Sequence, residues 1–159
     1  MKKKYDSDFM NIIKPIIDNE TVLEMKKYKQ HYNTDCYEHC LNVAYYSYKM
    51  AKKLRLDYVS ISRAAMLHDF FLYDWRNHSH PPGLFNKHAF THGKTAYKNA
   101  SAIFSLNKKE KDIIENHMWP VTFKLPRYRE TYIVTIADKF SALVETAHYY
   151  KEVFRHARN

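Results

Sequence analysis

The sequence predicts an all-α fold, a helical bundle forming a single domain over residues 1–159. Three observations carry that expectation. Only two Gly and five Pro occur in 159 residues, which fits poorly with a turn-rich chain of many short strands. Apolar residues recur at three- and four-residue steps, the period of a helix face. Side chains that cap helices stand ahead of several of those stretches. Hydrophobic residues make up 45% of the chain, enough for it to fold around a core.

Taken in order, a first helical segment is expected from about Asp6 to Tyr28, broken or kinked at Pro15. A second helix begins near Asp35, which with Glu38 fits a capping box, and carries Leu41, Ala44, Tyr45, Tyr48 and Ala51 on one face. A third starts near Val59 and runs through Ala64, Ala65 and Leu67 into His68-Asp69. The stretch YDWRNHSHPPGLFNKHAF holds two prolines and a glycine, and reads as a long loop of the kind that often serves binding. Asp74-Trp75-Arg76 reads as its anchor, the alternative being that Trp75 stacks on a base. A fourth helix is expected from about Thr91 to Phe104, and a fifth, capped by Asn107, runs to His117. After Pro120 and Pro126 a last helix covers about Glu130 to Glu152, with Ile133, Ile136, Ala137, Phe140, Leu143 and Val144 read as its core face. The N-terminal segment and the tail after Tyr150 are expected to be the most mobile parts.

The net charge is +9, but Lys and Arg are scattered rather than massed in one block. They read as solvated helix faces that also attract anions such as phosphates. No nucleic-acid-binding motif is present, so no nucleic-acid partner is expected. No apolar stretch is long enough to span a bilayer, and no secretory signal is read after the N-terminal lysines. A cytoplasmic location with no membrane partner is the expectation, and Cys36 and Cys40 are expected to be reduced thiols.

The segment AAMLHDFFLYDW poses the functional question. It reads as buried helix, yet it carries His68 and Asp69 side by side. A buried aspartate costs several kcal/mol unless it is paired, hydrogen-bonded or metal-bound. His39 lies in DCYEHCLNVA, and Asp138 lies in the apolar run IVTIADKFSAL, with the same difficulty as Asp69. Convergence on one cation solves the problem for all four, since carboxylates neutralise the charge and imidazoles coordinate through nitrogen. Such a mixed set suits Fe, Mn, Co, Ni or Zn. Cys36, His39 and Cys40 lack a second Cys pair for a closed zinc site. Gly93-Lys94-Thr95 lacks the leading Gly and strand of a phosphate loop, with His88 where the Gly belongs.

The order His39, His68-Asp69, Asp138 resembles the HD-domain superfamily of metal-dependent phosphohydrolases, over about residues 35–148. The resemblance implies an α-helical bundle in which these residues bind a divalent metal. It extends to the two-metal branch. There His92, four residues before Ala96 and preferred over His88 for that spacing, and His117 would hold a second ion, with Asp69 bridging. The doublet continues as Phe70-Phe71-Leu72, so the lysine of His-Asp-Ile-Gly-Lys is missing. Arg76, His88 and Lys94 are the candidates for substrate phosphate contacts. The Gly-Tyr-Pro signature of the cyclic-dinucleotide branch is absent too.

The resemblance implies hydrolysis of a nucleotide or another small phosphate ester or anhydride by a metal-activated water, with Asp69 and His68 as catalytic residues. The alternatives are a di-iron oxygenase on the same fold and a non-catalytic metal-binding regulatory module. A homo-oligomer is left open. His78, His80 and His88 are expected in the loop, and His31, His148 and His156 at the surface.

Overall fold

The first core contribution comes from the segment expected to be loose. In the computed structural model, which describes residues 5–76 and 88–157, helix α1 spans Ser7–Ile17 and buries Phe9, Ile13 and Ile16. These lie at three- and four-residue spacing, so one face enters the core. Asp6 caps the helix by accepting from the Asp8 N–H. Pro15 does not break it. The break comes at Asp18–Asn19, where the Asn19 side chain accepts from Thr21 and Val22 N–H and starts α2, Glu20–Leu23.

A feature outside the sequence expectation follows. Lys29–His31 (β1) and Thr34–Asp35 (β2) form an antiparallel hairpin, with Tyr32 at φ 47° in its turn. The hairpin feeds α3, Cys36–Leu54, where Asp35 accepts from the Glu38 N–H at 2.8 Å. Asp57 caps α4, Tyr58–Leu67, and His68 is the residue that ends it. The His-Asp doublet therefore sits just past a helix end, not within one. α3 and α4 pack along one another, and α4 also meets α1 and α6.

Helix α5 covers His88–Ile103, so His88 belongs to a helix rather than to the expected loop. Residues 77–87, with His78 and His80, lie outside the described residues. Asn107 and Glu110 form a reciprocal capping box at the start of α6, Lys108–Asn116, which His117 terminates. Gly93 holds α5 against α6: a Cβ there would lie 2.9 Å from the Ile114 carbonyl oxygen and 3.0 Å from that of Glu115. The buried Asp112 carboxylate accepts from Arg127 N–H, Tyr128 N–H and the Thr131 hydroxyl, tying the connection after α6 to the start of α7.

Helix α7, Arg129–His156, corrects the expected core face. Ile136, Phe140 and Leu143 point outward. The buried side carries Thr131, Thr135, Asp138, Ser141 and Glu145 beside Val134 and Ala137. The inner face is polar because it serves a site. Among the described residues the architecture is all-α apart from the hairpin. No helix among the described residues is long and apolar enough to cross a membrane.

Candidate metal centre

Each imidazole in the centre is turned inward by a partner behind it. His39, on the buried side of α3, has Nδ1 3.0 Å from Glu145 Oε2. His68 Nδ1 lies 2.7 Å from the Ala65 carbonyl oxygen, one turn back in α4. His92 Nδ1 lies 2.8 Å from the His88 carbonyl, and His117 Nδ1 lies 3.0 Å from that of Ile114. With each Nδ1 engaged outward, every Nε2 atom faces the centre.

The inward atoms form two groups that share Asp69. His39, His68 and Asp69 make one, and Asp69, His92 and His117 the other, with ligand atoms in each group within 4.8 Å of one another. Asp69 Oδ2 lies 3.4 Å from His68 Nε2, whereas Oδ1 lies 3.3 Å from His92 Nε2 and 3.7 Å from His117 Nε2. Asp138 Oδ1 joins the first group, 3.1 Å from His39 Nε2 and 3.9 Å from His68 Nε2. All six side chains are buried.

These residues fit divalent cations on two counts. His68 Nε2 and Asp69 Oδ1 are buried without a hydrogen-bond partner, a costly state that a cation relieves. His92 Nε2 and His117 Nε2 approach to 2.9 Å. Two imidazole lone pairs cannot face each other at that distance without a proton or a metal to share. Nitrogen and carboxylate donors together suit first-row divalent ions.

The electrostatics run the same way. Burial opposes charge on His39, but its hydrogen bonds to the Asp138 and Glu145 carboxylates overcome this and raise its pKa well above the usual value. Burial likewise disfavours the His68 cation, yet Asp69 and Cys40 raise its pKa to about 10. His117 goes down to about 3, through burial and the nearby His68 and His92. Burial would raise Asp69, but the four surrounding histidines hold it well below the carboxylate range. Asp138 is also held low against its burial, chiefly by its hydrogen bond with His39. Protons thus occupy positions where a cation would sit.

The six expected metal-ligating residues, His39, His68, Asp69, His92, His117 and Asp138, therefore come together. The substrate candidates divide. His88 lines a cavity of about 280 Å³ over the centre, with its ring stacked on Trp75 at 5.5 Å and its Nδ1 3.0 Å from the Tyr73 hydroxyl. Lys94 is exposed, because two residues along a helix turn it roughly 200° away from His92. Arg76 is exposed and lies over the ring of Trp75, which lines that cavity, but Arg76 itself is not part of the lining. The lining instead includes Lys139, whose Nζ is 2.7 Å from Asp138 Oδ2.

Gln30 and Glu145 were not anticipated. Gln30 donates to Asp69 Oδ2 at 2.5 Å from strand β1, and no sequence pattern announces that strand. Glu145 had a signal: it lies seven residues, two helical turns, after Asp138 on the same face. Cys36 and Cys40 are buried free thiols. The Cys36 thiol donates to the Asp69 carbonyl oxygen. Burial drives the Cys40 pKa well up, so this cysteine stays a thiol rather than a metal-binding thiolate. His148 and His156 are exposed, as expected; the side chain of His31 lies outside the described ones.

An all-α bundle that delivers a histidine, a His-Asp doublet and a distant aspartate from three helices to one buried point defines a class of metal-binding domain. The HD-domain family model matches residues 36–143, and the chain belongs to that family. Neither curated proteins nor solved structures give a match.

Proposed function

We propose that the protein is a metal-dependent phosphohydrolase acting on a nucleotide or another small phosphate ester or anhydride. The observation that carries this reading is the division of the ligand set about Asp69, with one oxygen toward His68 and the other toward His92 and His117. On this reading His39, His68, Asp69 and Asp138 hold one divalent ion, and Asp69, His92 and His117 a second. When bound, such ions lower the pKa of water toward neutrality and neutralise charge developing on phosphate oxygens.

The chain's own residues supply the rest. Asp69 and Asp138 provide the negative charge that retains cations in a buried place. Lys139, half-exposed beside the cavity, offers a positive charge to a phosphate oxygen. Trp75 Nε1 and Gln30 Oε1 are buried without partners, and both residues line the cavity, leaving a donor and an acceptor for a substrate. A larger cavity of about 650 Å³ lies elsewhere, but it is lined by Glu38, Glu145 and Glu152 with no Lys or Arg, a poor setting for an anion.

The test is metal analysis of the purified protein, then phosphate release from nucleotides, dinucleoside polyphosphates and sugar phosphates after loading with Mn, Co, Ni, Zn or Fe. Activity should vanish in Asp69→Ala and persist in Lys108→Ala. A product that forms only with iron and dioxygen would replace hydrolysis with oxygenation. Stable metal with no turnover of any phosphate would point to a regulatory module.

A further inference from the structure

The outer face of α7 carries a pattern that the metal centre does not use. Ile136, Phe140, Leu143, Ala147, Tyr150 and Phe154 follow alternating four- and three-residue steps. This is the 3.5-residue repeat by which one helix packs along another. Of the six, the five large residues are 47% to 69% exposed. The buried residues Val134, Ala137, Asp138, Ser141 and Glu145 occupy the opposite side of the same helix. Between Tyr132 and Tyr150 the stripe positions carry no charge.

We propose that this stripe is the seam of a homodimer in which α7 packs antiparallel against α7 of a second copy. The repeat asks for a helical partner, and α7 is such a helix. A two-fold axis level with residue 145 sets Leu143 opposite the partner's Ala147, Phe140 opposite the partner's Tyr150, and Ile136 opposite the partner's Phe154. Each pairing matches the two seam positions of an antiparallel helix pair. The five large side chains expose on the order of 500 Å². With the flanking Tyr132, Val144 and Val153, this approaches the roughly 800 Å² per partner of a stable interface. Charge selects the orientation. Lys151 and Arg155 make the C-terminal end basic, and the chain is +9 overall. Antiparallel packing keeps the two Phe154 ends roughly 27 Å apart at 1.5 Å per residue, whereas parallel packing would set the basic ends together.

Sedimentation equilibrium of the full chain tests this. The wild type should be a dimer at micromolar concentration and remain one in 1 M NaCl, because the contact is apolar. Leu143→Glu and Phe154→Glu, both at exposed positions, should be monomeric with unchanged helical circular dichroism and metal content. Under mild oxidation, a mixture of Ile136→Cys and Phe154→Cys chains should form the mixed disulfide dimer, and Phe154→Cys alone should not. A wild type monomeric at about 100 µM, or a Leu143→Glu variant that stays dimeric, overturns the proposal. So does a disulfide between two Phe154→Cys chains. Binding of a monomeric wild type to phosphatidylcholine–phosphatidylserine vesicles, lost in Leu143→Glu, would assign the stripe to a membrane surface instead. Since the readout is mass, the result is independent of whether the centre hydrolyses phosphates.

Discussion

Glu145 Oε2 lies 3.0 Å from His39 Nδ1, and Ser141 and Asn42 donate to its other oxygen at 2.8 and 3.4 Å. A carboxylate behind a metal-binding imidazole fixes the tautomer and raises ligand basicity. Glu145→Gln keeps the shape but removes the charge, so metal affinity should fall by roughly tenfold to a hundredfold. Competition with a chromogenic chelator measures this, and unchanged affinity would remove Glu145 from the centre. Protonation supplies a second prediction. In the metal-free fold, His68 titrates near 10, against 6.5 for an unperturbed imidazole, and His39 is raised as well. The folded state then binds more protons than the unfolded chain between pH 6.5 and about 10. Their contribution to stability is complete below pH 6.5 and lost as pH rises through about 10. His117, at about 3, works in the opposite sense, and its contribution is lost as pH falls from 6.5 toward 3. A metal at His39 and His68 must displace their protons. Titration calorimetry at pH 7 in buffers of different ionisation enthalpy should show net proton release, and an apparent affinity that rises with pH. Binding with no proton release would contradict the charge states of both histidines.

At the scale of elements, Gly93 sets how closely α5 meets α6, and so how closely His92 meets His117. In Gly93→Ala the new Cβ must displace the backbone carbonyls of Ile114 or Glu115, which no side-chain rotation relieves. The variant should lose about 1–3 kcal/mol in denaturant unfolding, as overpacked sites do. It should also lose the ion held by His92 and His117 before that held by His39, His68 and Asp138. Full two-ion occupancy in Gly93→Ala would show that the close approach is dispensable. In the sequence this glycine looked like part of an abandoned phosphate-loop string, because a packing requirement between two helices leaves no local signature. The helices were legible for the opposite reason: Asp35 and Asn107 cap locally, and α3 and α4 show their buried faces in apolar spacing. The hairpin was not, since strands of three and two residues are too short for alternation, and its turn places Tyr32 at positive φ without a glycine. Gln30 was hidden with it. The outer stripe of α7 was legible as a pattern but assigned to the wrong side. A helix buries whatever its neighbours need, and here they need Asp138 and Glu145.

For the whole molecule, the centre is a knot: α3 brings His39, the end of α4 His68 and Asp69, α5 His92, the end of α6 His117, and α7 Asp138. Ions held by these six residues bind only the folded state, since the ligands are spread from residue 39 to residue 138 and do not converge in an unfolded chain. Ligand at a hundred times its dissociation constant then stabilises the fold by about 2.7 kcal/mol. For a chain of this size each kcal/mol raises Tm by roughly 2–4 °C. Loading with the preferred metal should therefore raise Tm by about 5–10 °C, and a chelator should reverse the gain. Asp69→Ala loses the carboxylate shared by both ligand groups, so its Tm should not respond to metal, although its far-ultraviolet circular dichroism should remain helical. Differential scanning fluorimetry of both proteins, with and without metal, makes the comparison. An equal shift in wild type and Asp69→Ala would mean that the ions bind elsewhere, and the buried centre would then require another explanation for its two orphan ligand atoms.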